Sequence, residues 1–105
     1  MDIFTVVLSE KAKDNLRTVP AYIARKVGSW IDSVAHDGLI AVRKIPGFHD
    51  EPLKGIRKGQ RSIRLNKAYR AIYVIGKQGN IEIAEIIEVN NCLLYTSDAA
   101  DDTPC

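Results

Sequence analysis

At 105 residues the chain has the length of one domain, enough for a single small core and not for two. Apolar residues make up 46%, charged residues 27%, and the formal net charge is only +2, proportions ordinary for a soluble globular domain, and there are no repeats or low-complexity linkers. No apolar run approaches the roughly 20 residues of a membrane span, and residues 1–8 lack the basic n-region and long apolar core of a signal peptide, so a cytoplasmic location is expected.

The first predicted element is a strand over residues 3–8, IFTVVL, rich in β-branched and aromatic residues. Ser9 stands at a natural N-cap with Glu10 in the first turn, where the helix dipole favours an acid; Ala12, Leu16 and Val19 then mark one face of a short helix. Thr18 and Pro20 restart the chain. From Pro20 the positions Ile23, Val27, Trp30, Ile31 and Val34 form an apolar stripe at helical spacing, and His36-Asp37-Gly38 signals the end of this second helix. Gly28, inside it, is expected to mark the close approach of another element.

Residues 38–52 read as irregular, with a turn at Ile45-Pro46-Gly47 and a short strand over residues 42–45. Three further strands are predicted over residues 61–66, 69–75 and 81–89, separated by spacings so short that neighbours must be antiparallel. Ile63 and Leu65 face one way while Ser62 and Arg64 face the other. Glu82, Glu85 and Glu88 recur every third residue, which would also suit a helix, but four isoleucines and a valine across this stretch favour a strand. The fold class is therefore α+β: an N-terminal strand, a two-helix hairpin, then a mainly antiparallel three- to four-stranded sheet with the hairpin on one face.

The end of the chain reads differently. Both cysteines, Cys92 and Cys105, lie in CLLYTSDAADDTPC, whose first part reads like the translation of a transposon adapter used in sequencing libraries. Residues 1–91 are accordingly expected to be the domain and residues 92–105 a non-native tail, with no disulfide or metal role for the cysteines. Without the tail's three aspartates, 15 basic side chains stand against 10 acidic ones, a formal +5 that favours anionic partners.

That charge is concentrated. Residues 53–73 hold Lys54, Arg57, Lys58, Arg61, Arg64, Lys67 and Arg70 and no acid, interleaved with Ile63, Leu65, Tyr69, Ile72 and Tyr73, so the field belongs to a folded surface. Solubility alone, or an edge strand guarded by charge, would account for some of it; a phosphate-binding surface accounts for the whole run. Tyr69 and the arginines offer planar surfaces for unstacked bases, although the tyrosines also suit a core. Charge alone fits binding and cleavage of either nucleic acid; no acidic cluster with metal-ligand spacing lies near this segment, so a site here that cut RNA would use the metal-free route, attack by the RNA's own 2′-OH. Arginine can only stabilise charge there. Lys54, crowded by Arg57, Lys58 and Arg61, and His49, of a residue type that titrates near neutrality, are the candidate proton carriers.

At these residues the sequence resembles a known family. GFHDEPLKG, RKGQRSIRLNKAYRAIYVI and IIEVN, in the order strand, two helices, sheet, are similar to the RelE/ParE superfamily of bacterial toxins, and most to its HigB-like branch with a His…Pro-Leu-Lys-Gly motif, a Ser-Ile/Leu-Arg strand and a Tyr/Trp-Arg strand. The resemblance implies a type II toxin: an mRNA interferase that enters the ribosomal A site, cleaves the message there without metal or cofactor, and is neutralised by a cognate antitoxin. It implies Lys54 and Arg70 as catalytic residues, matched by position to the motif lysine and the Tyr/Trp-Arg arginine, and His49 as the motif histidine; the charge and stacking pattern puts Arg57, Lys58, Arg61, Arg64 and Tyr69 on the RNA. The pattern departs in two places: Asp50 and Glu51 separate His49 from the proline, and the histidine- or tyrosine-bearing ending usual after Glu-Val-Asn is replaced by the adapter-like stretch, where only Tyr95 resembles it. A ParE-like inhibitor of DNA gyrase and a non-catalytic nucleic-acid-binding module are the alternatives.

Overall fold

A computed structural model describes residues 2–91; the adapter-like stretch and both cysteines lie outside the described residues. The elements run β1 (Thr5–Leu8), α1 (Glu10–Thr18), α2 (Ala21–Asp37), α3 (Leu39–Val42), β2 (Glu51–Pro52), β3 (Arg61–Arg64), β4 (Tyr69–Gln78) and β5 (Ile81–Asn91), with 3-10 turns at Pro46–Phe48 and Gly55–Arg57. The five strands form one sheet in the order β1-β5-β4-β3-β2. Among the described strands only β1 is parallel to its neighbour, β5; the long connection that a parallel pair requires runs from α1 through β4.

Local chemistry explains where the helices begin and end. Ser9 Oγ accepts the Ala12 N–H at 3.1 Å and donates to the Ile87 carbonyl at 3.1 Å, so the cap also fastens α1 to the sheet. The residue before Pro20, Val19, is extended, which separates the two helices. The expected stripe of α2 is buried at Ile23, Val27, Trp30 and Val34, and the Trp30 ring meets Tyr73 of β4 with centroids 5.0 Å apart. Gly38 ends α2 with φ +86°, and a Cβ there would overlap the Asp2 carboxylate. Asp2 Oδ1 accepts the N–H groups of Ile40 (3.0 Å) and Ile3 (2.7 Å); the Ile40 N–H chiefly, then those of Ile3 and Leu39, hold this carboxyl below its ordinary range against the opposing effect of burial.

Three expectations need correction. Residues 42–45 form no strand: with Asp2 holding the Ile40 N–H, the apolar run after Gly38 closes a helical turn, α3, which buries Leu39 and Val42. Gly28 is approached by nothing, since a Cβ built there has no neighbour within 4 Å, and nothing in the structure explains a glycine at that position. The β4–β5 hairpin is longer than predicted: strand pairing continues to Gln78↔Ile81, and only Gly79 (φ +62°) and Asn80 make the turn.

A β-bulge resolves the puzzling glutamates. The register passes from Ile72↔Glu88 to Tyr73↔Ile86, leaving Ile87 as an extra residue in β5. Before the bulge Ala84 and Ile86 alternate onto the helix side; after it Val89 does, so Glu85 and Glu88, three apart, share the opposite face. The helix-like period is a strand with one residue inserted.

Candidate nucleic-acid interface

The helices cover only one side of the sheet, and strand alternation decides which side chains reach the other. The core of the covered side takes Ile63 and Leu65 beside β3, Ala71 and Tyr73 of β4, and Ala84, Ile86 and Val89 of β5. On the side free of helices, the open face, the register lines up two rows across β3, β4 and β5, Arg64–Arg70–Asn90 and Ser62–Ile72–Glu88, of which Arg64 is exposed and the other five are buried. Arg64 and Arg70 thus oppose each other on adjacent strands, an arrangement of like charges that costs stability and that a bound anion would relieve.

Between β2 and β3 the chain makes an excursion closed by Leu53 N–H to the Gln60 carbonyl (2.9 Å), with positive φ at Gly55 (65°) and Gly59 (96°). Lys54 caps its 3-10 turn, and Lys54, Ile56 and Lys58 are exposed, Ile56 to 95%. Leu53 is buried outside the helix-side cluster, and Arg57 reaches from the excursion onto the open face, donating to Glu88 Oε1 at 2.8 Å and to Gln60 Oε1 at 2.9 Å. The basic excursion is thereby folded over the sheet.

Glu88 is the centre of a buried polar line. Only 4% exposed, it meets Arg57, Lys11 Nζ of α1 at 3.5 Å, and the Asn90 side-chain amide, whose Nδ2 donates to Oε2 at 3.0 Å. Asn90 Oδ1 in turn accepts the Arg70 Nε–H at 3.3 Å. A buried carboxylate is tolerable only when cations and donors satisfy it, and here they do.

A second polar cluster holds the edge of the sheet. The Asp50 side chain has 0% exposure and accepts Arg61 Nε at 2.6 Å and the Tyr73 hydroxyl at 2.5 Å. Burial, reinforced by the hydrogen bond to Asp50, pushes the Tyr73 phenol well above the ordinary tyrosine range. A group whose proton is held more tightly in the folded state contributes stability that is complete below its unfolded pKa and is lost as pH rises beyond it. Stability is therefore expected to fall as pH rises above about 10, and Tyr73→Phe to flatten that alkaline slope; urea midpoints of the two proteins measured across alkaline pH check it.

The structure sorts the predicted site residues. Arg64 and Arg70 stand together on the open face, with Arg57 beside them through Glu88, and Lys54 and Lys58 lie on the excursion. Arg61 does not join them: it pairs in register with Tyr73 and is committed to Asp50. Tyr69 packs against the helix-side cluster and so lies away from Arg70. His49, in left-handed backbone conformation and half exposed, sits just before β2 with Nε2 3.4 Å from Glu51 Oε1. Lys11, Asp50, Glu88 and Asn90 were not among the predicted residues; the alternation of Glu88 and Asn90 about Val89 near the end of β5 was the available signal.

No protein-family model and no curated protein matches the sequence. Solved structures do match. YafQ from E. coli strain BL21(DE3) superimposes with a TM-score of 0.66 at 13% identity, over 86% of this chain and 96% of that one. The archaeal RelE–RelB complex from Pyrococcus horikoshii OT3 gives 0.62 at 19% identity over 87% and 96%, and the YoeB/ParE toxin from Agrobacterium tumefaciens 0.60 at 20% over 83% and 96%. The chain has the fold of these RelE, YafQ and YoeB structures, the RelE-type fold. The RelE-type likeness takes in nearly the whole of each matched chain. In this RelE-type fold no helix among the described residues is long and apolar enough to cross a membrane.

Proposed function

We propose that this chain is the toxin of a type II toxin–antitoxin pair, a ribosome-dependent mRNA endoribonuclease of the HigB-like kind that acts in the cytoplasm and is held in check by a cognate antitoxin. The observation that carries the reading is the row Arg64–Arg70–Asn90 on the sheet face away from the helices, with Arg57 and the Lys54-bearing excursion folded over it, in a fold shared with structures of toxins and toxin–antitoxin complexes. Concentrated, preorganised cations of this kind suit a phosphodiester whose charge grows in the transition state.

The chemistry proposed is transfer within the RNA. The 2′-oxygen forms a bond to the adjacent phosphorus, its proton passing to a base; the bond from phosphorus to the 5′-oxygen breaks, and an acid protonates that oxygen. The products are a 2′,3′-cyclic phosphate and a 5′-hydroxyl. Arg70 and Arg64 stabilise the charge on phosphorus, Lys54 and His49 are the candidate proton carriers, and Arg57 and Lys58 hold neighbouring phosphates. Arg61 and Tyr69, committed elsewhere, have no part in it.

Induction of the protein in a bacterial host is the test. The expected result is growth arrest with loss of translated messages while gyrase supercoiling is unimpaired. Arrest with intact messages and inhibited supercoiling would move the assignment to a ParE-like gyrase poison, and RNA binding without arrest would move it to a non-catalytic module.

A further inference from the structure

Of the residues on the open face, Arg70 is the one whose guanidinium is held by a line of side chains reaching to a buried acid. Arg57 Nη2 and Lys11 Nζ approach Glu88 Oε1, Asn90 Nδ2 donates to Glu88 Oε2, and Asn90 Oδ1 accepts Arg70 Nε–H. The direction of this line is fixed by chemistry. A carboxylate only accepts and an arginine Nε–H only donates, so the Asn90 amide has one orientation that satisfies both neighbours. Glu88 and Asn90 also occupy alternate positions of β5 beyond the bulge, which brings both onto the open face beside Ile72 and Arg70.

We infer that Glu88 and Asn90 are positioning residues: Glu88, anchored by Arg57 and Lys11, sets the Asn90 amide, and Asn90 aims the Arg70 guanidinium at the phosphate. This rests on the proposed ribonuclease reading for its consequence but not for its geometry. One carboxylate ties the excursion, through Arg57, and the sheet arginine, through Asn90, into a single arrangement.

The line makes an unusual demand on substitutions. In Glu88→Gln the carboxamide has one acceptor where the carboxylate had two. If its oxygen faces Arg57, its NH₂ meets the Asn90 NH₂; if Asn90 turns over to relieve that, its own NH₂ meets Arg70 Nε–H. In Asn90→Asp two carboxylates face each other. Glu88→Gln combined with Asn90→Asp satisfies every link again and leaves the net charge as it was. The new carboxamide then accepts from Arg57 and donates to the new carboxylate, which accepts from Arg70.

The experiment compares the protein with both single variants and the combined one. Cleavage of a message on programmed ribosomes is followed under single-turnover conditions, alongside the Arg70 Nε–H proton resonance, assigned by its loss in Arg70→Lys. Each single substitution is expected to lower the cleavage rate about 100-fold, the order of effect of misplacing a catalytic group by 1 Å, with little change in the message concentration needed for half-maximal rate. Solvent exchange of the Arg70 Nε–H should quicken in parallel. The combined variant should recover the rate to within about threefold and restore the slow exchange, a pattern that loss of folding in the single variants does not mimic. A combined variant no better than the worse single one, or a Glu88→Gln protein indistinguishable from the original, overturns the inference. Should the original protein cleave no message, the ribonuclease reading fails by itself, and the resonance alone decides: slow exchange in the original and combined proteins with fast exchange in Glu88→Gln upholds the line, and equal exchange in all of them overturns it.

Discussion

Replacing Arg70 by alanine is expected to abolish growth arrest, lowering message cleavage by about 10²–10³-fold, the effect of removing one preorganised donor from a developing oxyanion, and replacing Lys54 by alanine to do the same, by about 10²–10⁴-fold, the effect of removing a proton carrier. The two variants differ in what else they disturb. Lys54 is exposed, so its truncation should shift folding stability by no more than about 0.5 kcal/mol. Arg70 is only 6% exposed and its Nε–H satisfies Asn90, so Arg70→Ala should also lower the unfolding free energy measured in urea, by about 1–3 kcal/mol, while circular dichroism still reports a folded chain. Arg70→Lys keeps a positive charge but presents no second donor along the Asn90 direction, and should recover little activity. Undiminished toxicity in both alanine variants would remove these residues from the site.

The largest stability loss is expected elsewhere, at Asp50. Its carboxylate is fully enclosed and holds both Arg61 and the Tyr73 hydroxyl; Asp50→Ala leaves a largely buried guanidinium and a buried phenol without their acceptor. Breaking a buried pair by removing one partner costs about 3–5 kcal/mol. Against the roughly 5–15 kcal/mol that holds a domain together, that is enough to depress expression and shift the thermal midpoint by many degrees. Asp50→Asn, which keeps one acceptor oxygen and the side-chain volume, should lose less. Equal urea midpoints for Asp50→Ala and the unaltered chain would show that the cluster contributes nothing to folding.

Much of this architecture could be read from residue spacing. The α2 stripe, the Ser9 cap, the Gly38 stop and the helical hairpin on one sheet face all follow from local rules, because each is set by residues within a turn or two of one another. The place of β1 does not: its parallel partner lies about 78 positions further along, as in Thr5↔Ile83, and no local signal encodes a pairing made across two helices. The bulge at Ile87 was likewise invisible except as an odd glutamate period.

The basic segment shows both outcomes within a few residues. Its charges look alike in a row, yet a strand of period two divides them: Arg64 goes to the open face with Ser62, and Arg61 goes with Ile63 to the side where Tyr73 and Asp50 wait. The same alternation, applied from Tyr73 back to Tyr69, puts Tyr69 on the core side. What alternation could not supply was the partner. Asp50, in the polar run His49-Asp50-Glu51, looks solvated, and its burial exists only because β2 brings it against Arg61.

The activity proposed for the open face is cutting messages on the ribosome. Purified protein added to a reconstituted translation reaction, with 5′ ends of the message mapped by primer extension, tests it most directly. Cuts inside codons that appear only when ribosomes occupy the message, and vanish with Arg70→Ala, are the predicted result. A message that stays whole, or is cut equally without ribosomes, would contradict it.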